Sequence, residues 1–308
     1  MRHLEDFIKP TQAELFANLL TLFKGKAMYS KGNFILVKGV APILLVAHLD
    51  TVHEESVKEI YTSEDGNILM SPQGIGGDDR CGVFALVNAY ERSPVKPYLL
   101  FTCDEETGGL GARSFLHCLN QLPTALSNLK CIVEIDRKGS TDAVYYDCDN
   151  HDFETYITSK GFQTAIGSFS DISVIAPALG VAAVNLSSGY YNAHTLHEFI
   201  NRKELDSTLT KVVDIVTDSS RKDFPHFDYI EKIPDISASN YHYLDFDEMA
   251  IPDDLPVEYL EFYTALLDVY PIEQLEEWRK AYGDNFIWQL YIEEFDPFFS
   301  DSAIMRKK

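Results

Sequence analysis

Ile43-Leu44-Leu45-Val46-Ala47-His48-Leu49-Asp50-Thr51 runs from five consecutive apolar residues straight into a histidine and a carboxylate. A short apolar run of this kind reads as a strand buried on both faces. Three further runs end in the same way. Tyr98–Cys103 leads into Asp104-Glu105-Glu106-Thr107-Gly108-Gly109, Cys131–Ile135 leads into Asp136, and Ala182–Leu186 leads into a polar loop ending in His194-Thr195-Leu196-His197-Glu198. A fifth cluster, Gly76-Gly77-Asp78-Asp79-Arg80-Cys81-Gly82, opens a helical pattern. Outward from these runs, strands are expected at Asn33–Val37, Ile43–Ala47, Pro97–Cys103, Lys130–Ile135, Ala143–Asp147 and Val181–Leu186. Helices are expected at Thr11–Phe23, Cys81–Glu91, Gly111–Leu119 and Arg202–Ser219. The alternation predicts an α/β fold with a mostly parallel central sheet flanked by helices. Such sheets bind ligands beyond the carboxyl ends of their strands, which is where all these polar residues fall.

Composition narrows the function. The 308 residues carry 26 basic and 48 acidic side chains, a formal charge of −22. Nucleic-acid and anionic-membrane surfaces need an excess of Lys and Arg that is absent here. The cysteines, Cys81, Cys103, Cys118, Cys131 and Cys148, are odd in number and lack CxxC spacing. That argues against a disulfide framework and for a reducing compartment. Neither a signal-peptide stretch nor a membrane-length apolar run is visible, so a cytoplasmic protein is expected.

Two histidines and at least three carboxylates converging on one rim would repel and desolvate one another unless compensated. Divalent cations remove that conflict. About five mixed ligands are too many for one tetrahedral zinc but suit two metals sharing a carboxylate. Gly74-Ile75-Gly76-Gly77 is no phosphate loop, because no Lys-Ser/Thr follows and Asp78-Asp79 would repel phosphate.

The order His-x-Asp, Gly-x-Asp-Asp-x-x-Gly, Asp-Glu-Glu-Thr-Gly-Gly-x-Gly-Ala, Asp, His-Thr-x-x-Glu resembles the co-catalytic dinuclear zinc exopeptidases over residues 41–200. That superfamily includes peptidase T, the carboxypeptidase G and aminoacylase group, the lid-less zinc aminopeptidases and the glutamyl aminopeptidases. The resemblance implies two divalent ions, zinc with cobalt or manganese as substitutes. It implies His48 and Asp136 on one ion, Glu106 and His194 on the other, and Asp78 as the bridge. Asp50 would fix the tautomer of His48, and Glu105 would be the general base. The family pattern favours His194 over His197 as ligand. Asp79 and Asp104 read as supporting or solvated neighbours, and His53, His117, His151, His226 and His242 as structural or exposed. Residues 137–193 and 49–77 are too few for the lid or barrel domains that many relatives insert. A lid-less catalytic domain over 1–222 is therefore expected, with Tyr190 and Tyr191 as candidate oxyanion or substrate contacts in place of a lid histidine.

Residues 223–308 hold 20 acidic and 6 basic side chains, yet also both tryptophans and 18 of the 38 aromatic residues. Aromatic richness marks a folded segment, not an acidic tail. Helices are expected at Val257–Tyr270, Ile272–Tyr282 and Asn285–Phe295, packed on the catalytic domain or serving a homo-oligomer. The resemblance implies an exopeptidase of small peptides, most simply an aminopeptidase or di/tripeptidase. Two alternatives stay open: an N-acyl amino acid amidohydrolase or carboxypeptidase using the same metals, and a silent binding scaffold. Arg80, Arg113, Arg137 and Lys138 keep recognition of a C-terminal carboxylate in play.

Overall fold

The computed structural model describes residues 3–30, 33–53, 55–119, 124–167, 169–232 and 272–283, together with 263, 266, 286, 287 and 290. The chain forms two compact units, Met1–Ile233 and Pro234–Lys308.

The strands of the first unit are β1 (Ala27–Ser30), β2 (Phe34–Val37), β3 (Ile43–His48), β4 (Tyr61–Thr62), β5 (Ile68–Met70), β6 (Tyr98–Thr102), β7 (Cys131–Arg137), β8 (Asp142–Val144), β9 (Gln163–Ala165), β10 (Ala183–Ser187), β11 (Tyr190–Tyr191) and β12 (Phe199–Asn201). Its α-helices are α1 (Glu5–Ile8), α2 (Gln12–Leu22), α3 (Gly77–Arg92), α4 (Leu110–His117), α5 (His151–Ser159), α6 (Asp171–Leu179) and α7 (Arg202–Ser219). Eight strands build the main sheet in the order β1-β2-β6-β3-β7-β10-β8-β9. Its centre is parallel, with β3 between β6 and β7 and β10 beside β7. A second, antiparallel sheet of short strands runs β11-β12-β5-β4.

Alternate residues of the central strands feed two separate cores. Ile35, Leu45, Phe101 and Val133 share a cluster with Leu15 and Leu19 of α2, Leu86 of α3 and Leu209 of α7. Phe34, Val46, Leu100 and Ile132 share the other with Phe115 of α4 and Ile175 of α6. Both faces are covered, which is why these strands are continuously apolar. The strands and helices expected within residues 1–222 are present, within a few residues at their ends. The segment between Asp136 and His194 adds β8, α5, β9, α6 and β10 to the same unit and inserts no lid.

The expected boundary at 222 moves to 233. Phe224 and Phe227 are buried in the first core, where Phe227 lies 4.9 Å from the Phe153 ring. Ala182 donates to the Phe227 carbonyl and Phe227 donates to that of Lys130, which ties this stretch to the starts of β7 and β10. The aromatics just after residue 222 thus complete the first core.

In the second unit α8 spans Ile272–Tyr282, as the sequence predicts. Tyr263, Leu266, Phe286, Ile287 and Leu290 are helical, and the rest of the other two expected helices lies outside the described residues. Tyr263, Leu266, Leu275, Ile287 and Leu290 form a small core of their own, with Trp278 against it. Among the described residues no helix is long and apolar enough to cross a membrane.

Phe227→Ala removes a fully packed ring, so it should cost about 3–5 kcal/mol of unfolding free energy. Denaturant unfolding of the full chain measures this, and a loss below about 1 kcal/mol would place residues 224–232 outside the core.

Candidate metal centre

The β3 strand delivers His48 at its carboxyl end, buried. Its Nδ1 lies 3.2 Å from Asp50 Oδ1. Its Nε2 lies 3.2 Å from Asp78 Oδ1 and 3.5 Å from Asp136 Oδ1. Asp78 arrives from the entrance of α3, where Asp78 and Asp79 have non-helical dihedrals and the peptide between them is cis. The helix can approach this closely because residue 82 is glycine. A Cβ there would run into the Ile135 carbonyl of β7 and the Asp79 carboxylate. Asp79 acts as a helix cap, Oδ1 accepting from Gly82 N–H at 2.9 Å, while Oδ2 accepts from His48 N–H at 3.3 Å. One side chain therefore fastens the helix start to the end of β3.

The loop after β6 supplies Glu105 and Glu106. Asp50 accepts both of their N–H groups at 3.1 Å, one on each carboxylate oxygen. Asp50 thereby sets the ring of His48 and the backbone of this loop together. His194 comes from the turn after β11, with φ +63°. Its Nε2 lies 3.3 Å from Asp78 Oδ2 and 3.1 Å from Glu106 Oε1. The two histidines therefore face opposite oxygens of Asp78. His197 is exposed, and its backbone N–H bonds Thr195.

Glu198 carries a supporting role. It is fully buried, and its carboxylate accepts from Gly76 N–H and Asp78 N–H, each at 2.9 Å, and meets His53 Nε2 at 2.8 Å. His53 is thus part of the scaffold that fixes Asp78. Residue 77 must be glycine at this point, since a Cβ would lie 2.6 Å from that of Tyr190. Tyr190 is buried, and its hydroxyl donates to the Asp136 carbonyl oxygen at 3.1 Å. Tyr191 donates to Glu204 at 2.6 Å and stacks on Phe199 at 4.9 Å. Both phenols, expected as candidate oxyanion or substrate contacts, have their hydroxyls directed to Asp136 and Glu204 in this structure.

The electrostatics follow from this packing. Burial alone would depress the His48 imidazole, but Asp136, Asp50 and Asp78 hold it well above its ordinary value. Asp78 and Glu106 beside His194 raise it to about 10. Burial pushes Asp78 up, yet the two imidazoles override this and hold it below the carboxylate range. Burial, then Asp78 and Asp79, push Asp136 well up. Glu105 is raised to about 7, first by burial, then by Asp171 and Glu106, with His48 opposing. Among the described residues no hydrogen bond reaches the Glu105 carboxylate.

The donor set suits divalent ions. Single donor atoms of His48, Asp78 and Glu106 lie within 4.8 Å of one another, as do those of His48, Asp79 and Asp136. Glu106 Oε1 is buried without a hydrogen bond, although it sits 3.1 Å from His194 Nε2. An orphaned buried carboxylate oxygen beside an imidazole is what a shared cation would satisfy. A cleft of about 550 Å³ opens beside the cluster, lined by Pro10, Gln12, His53, Ile75, Arg80 and Glu106, among others.

Neither a protein-family model nor a curated protein sequence matches this chain. Solved structures do. The aminopeptidase PepT of Bacillus cereus superposes with a TM-score of 0.55 at 15% identity, over 71% of this chain and 97% of that one. A tripeptidase of Staphylococcus aureus gives 0.52 at 15%, over 71% and 96%. The TET aminopeptidase of a marine sediment archaeon of the Thaumarchaeota gives 0.53 at 13%, over 70% and 94%. The chain has the peptidase fold. The exopeptidase fold implied by the strand-end motifs is therefore the fold found.

Beneath the centre lies an acid that the sequence analysis missed. Asp171 is fully buried at the start of α6, bonded to the Thr102 hydroxyl through Oδ2, while Oδ1 has no hydrogen bond among the described residues. Burial raises it from 3.8 to about 6. Folded Asp171 binds its proton more tightly than unfolded Asp171. Its contribution to stability is therefore complete below about pH 4 and lost as pH rises through about 6. Asp171→Asn removes this loss, so its stability relative to wild type should grow by on the order of 3 kcal/mol between pH 4 and pH 8. Denaturant unfolding at the two pH values checks it, and an equal difference at both would reject the raised pKa.

Proposed function

We propose that this chain is a metal-dependent exopeptidase of small peptides, most specifically an aminopeptidase or di/tripeptidase. The observation that carries the reading is Asp78, buried, with His48 facing one oxygen and His194 the other. In this reading His48 and Asp136 hold one divalent ion, Glu106 and His194 hold a second, and Asp78 belongs to both. When bound, the ions, zinc by donor type, supply Lewis acidity to a scissile carbonyl and lower the pKa of water.

The chain's own residues do the rest. Glu105 has an unengaged carboxylate with a pKa of about 7, matched to taking a proton from the attacking water near neutral pH and returning it to the leaving amine. Asp50 holds the His48 ring and the 105–106 backbone in register. Tyr190 and Glu198 brace Asp136 and Asp78. The substrate lies in the adjoining cleft, whose lining is acidic on balance and suits the cationic α-amine of a free peptide N-terminus. Recognition of a C-terminal carboxylate is less well supported. Arg80, the arginine in that cleft, spends Nη1 on the Phe7 and Pro10 carbonyls, and Arg113 and Arg137 also bond backbone carbonyls. The peptidase fold of residues 1–233 and the intact Glu105 also speak against a silent scaffold.

Purified protein should contain two divalent ions per chain and hydrolyse free-amino dipeptides faster than N-blocked ones. Chelation should abolish turnover. Glu105→Gln should retain both ions and lose about 10²–10⁴-fold in kcat. Elemental analysis beside steady-state kinetics decides it. Hydrolysis persisting in chelator would sink the metal reading, and near-normal turnover of Glu105→Gln would move the base elsewhere.

A further inference from the structure

We propose that Gln12, at the start of α2, is a positioning residue for Glu105. The inference rests on the peptidase reading and adds a role for the N-terminal segment. The Gln12 amide makes two bonds to a single residue across a sequence gap of 92. Its Nε2 donates to Asp104 Oδ1 at 2.8 Å, and its Oε1 accepts from Asp104 N–H at 3.2 Å. The second bond fixes the amide orientation, because only the oxygen can face an N–H.

Three consecutive backbone N–H groups of the catalytic loop are therefore each held by a side-chain oxygen. Gln12 takes that of Asp104, and Asp50 takes those of Glu105 and Glu106. Asp104 needs the support most. Its φ is +56°, in the left-handed region that non-glycine residues seldom adopt. It also begins the turn, since its carbonyl accepts from Leu110 N–H and from the Thr107 hydroxyl. A change in its dihedrals would swing Glu105, the next residue.

Gln12 is itself held rigidly. Arg80 Nη1 donates to the Phe7 carbonyl at 2.9 Å and the Pro10 carbonyl at 3.0 Å. Thr11 and Glu14 close a capping box around the first turn of α2. Arg80 stands two residues after Asp78, so the N-terminal segment links the Asp78 loop to the Glu105 loop. A residue held at both ends can transmit placement, and displacement of about 1 Å at a catalytic group costs up to about 10²-fold in rate. Glutamine suits the position because one planar group must both donate to a carboxylate and accept from an N–H. Glutamate would repel Asp104, and methionine keeps the length with neither function.

The test uses full-length protein with Gln12→Ala, Gln12→Met and Gln12→Glu. Two quantities are read: amide hydrogen exchange over residues 104–106, and kcat with KM on a free-amino dipeptide. All three variants should speed exchange at 104–106 by about tenfold without changing it in the sheet strands. They should lower kcat about tenfold and leave KM within about twofold. Unchanged exchange at 104–106, or faster exchange with unchanged kcat, overturns the proposal. Faster exchange throughout the unit, with a fall in Tm and an unchanged kcat in the folded fraction, overturns it in favour of a purely structural role. Gln12→Met keeps that comparison available if Gln12→Ala folds poorly. Absence of turnover by the wild type on free-amino dipeptides would refute the peptidase reading, while exchange at 104–106 still decides the clasp.

Discussion

A cluster of carboxylates and two imidazoles shares one largely buried rim, and the structure depends on how their charges are balanced. Asp78 is the pivot, its two oxygens divided between His48 and His194. Around it nearly every acid has a second task that keeps it in place. Asp50 takes two backbone N–H groups, Asp79 caps α3 and ties it to β3, and Glu198 takes two more N–H groups at the entrance of α3. Hydrogen bonds of this type offset the desolvation of buried carboxylates. Glu106 Oε1, buried and without such a backbone bond, faces His194 Nε2 at 3.1 Å. A site assembled in this way favours positive charge before any ligand arrives.

The parallel sheet makes that balance attainable. Strands β3 and β7 run side by side in register, so the residues that follow them emerge at one edge. The paired cores on either face keep the sheet rigid, and rigid strands hold side chains more tightly than loops do. His48 and Asp136 are thus borne by β3 and β7, Asp50, Glu105 and Glu106 by the segments that follow β3 and β6, while the cleft walls come from the N-terminal segment and connecting loops.

Much of this was legible in the residues. Runs such as Ile43–Ala47 and Tyr98–Cys103 are unbroken because both faces are buried, and α7 starts and ends where its periodicity says, with Asn201 as its cap. The short strands β9, β11 and β12 escaped because two or three residues carry no period. α6 escaped because Ile172, Val174, Ile175 and Pro177 are poor helix formers, and its place between the Ser170 cap and Gly180 is imposed by packing on β10 and α4. His48 and Asp136 stood out directly after apolar runs, Glu106 two residues beyond one, Asp78 in the cluster that opens a helical pattern, and His194 at the end of a polar loop. Asp171 and Gln12 did not, because the contacts that give them meaning reach 69 and 92 residues along the chain. The compact unit runs past the shift in charge at 223, to Ile233, because charge and packing need not change at the same residue. The aromatic rings of 224 and 227 still belong to the preceding core.

Glu198 closes the loop that carries Asp78 from 120 residues away, through hydrogen bonds to the Gly76 and Asp78 N–H groups. A nascent chain therefore cannot assemble this centre until nearly all of the first unit has been synthesised. Before that point the acids near residue 78 stay hydrated and apart, since nothing yet draws them together. The arrangement of acids around Asp78 is thus a property of the whole unit and of no short stretch of the chain.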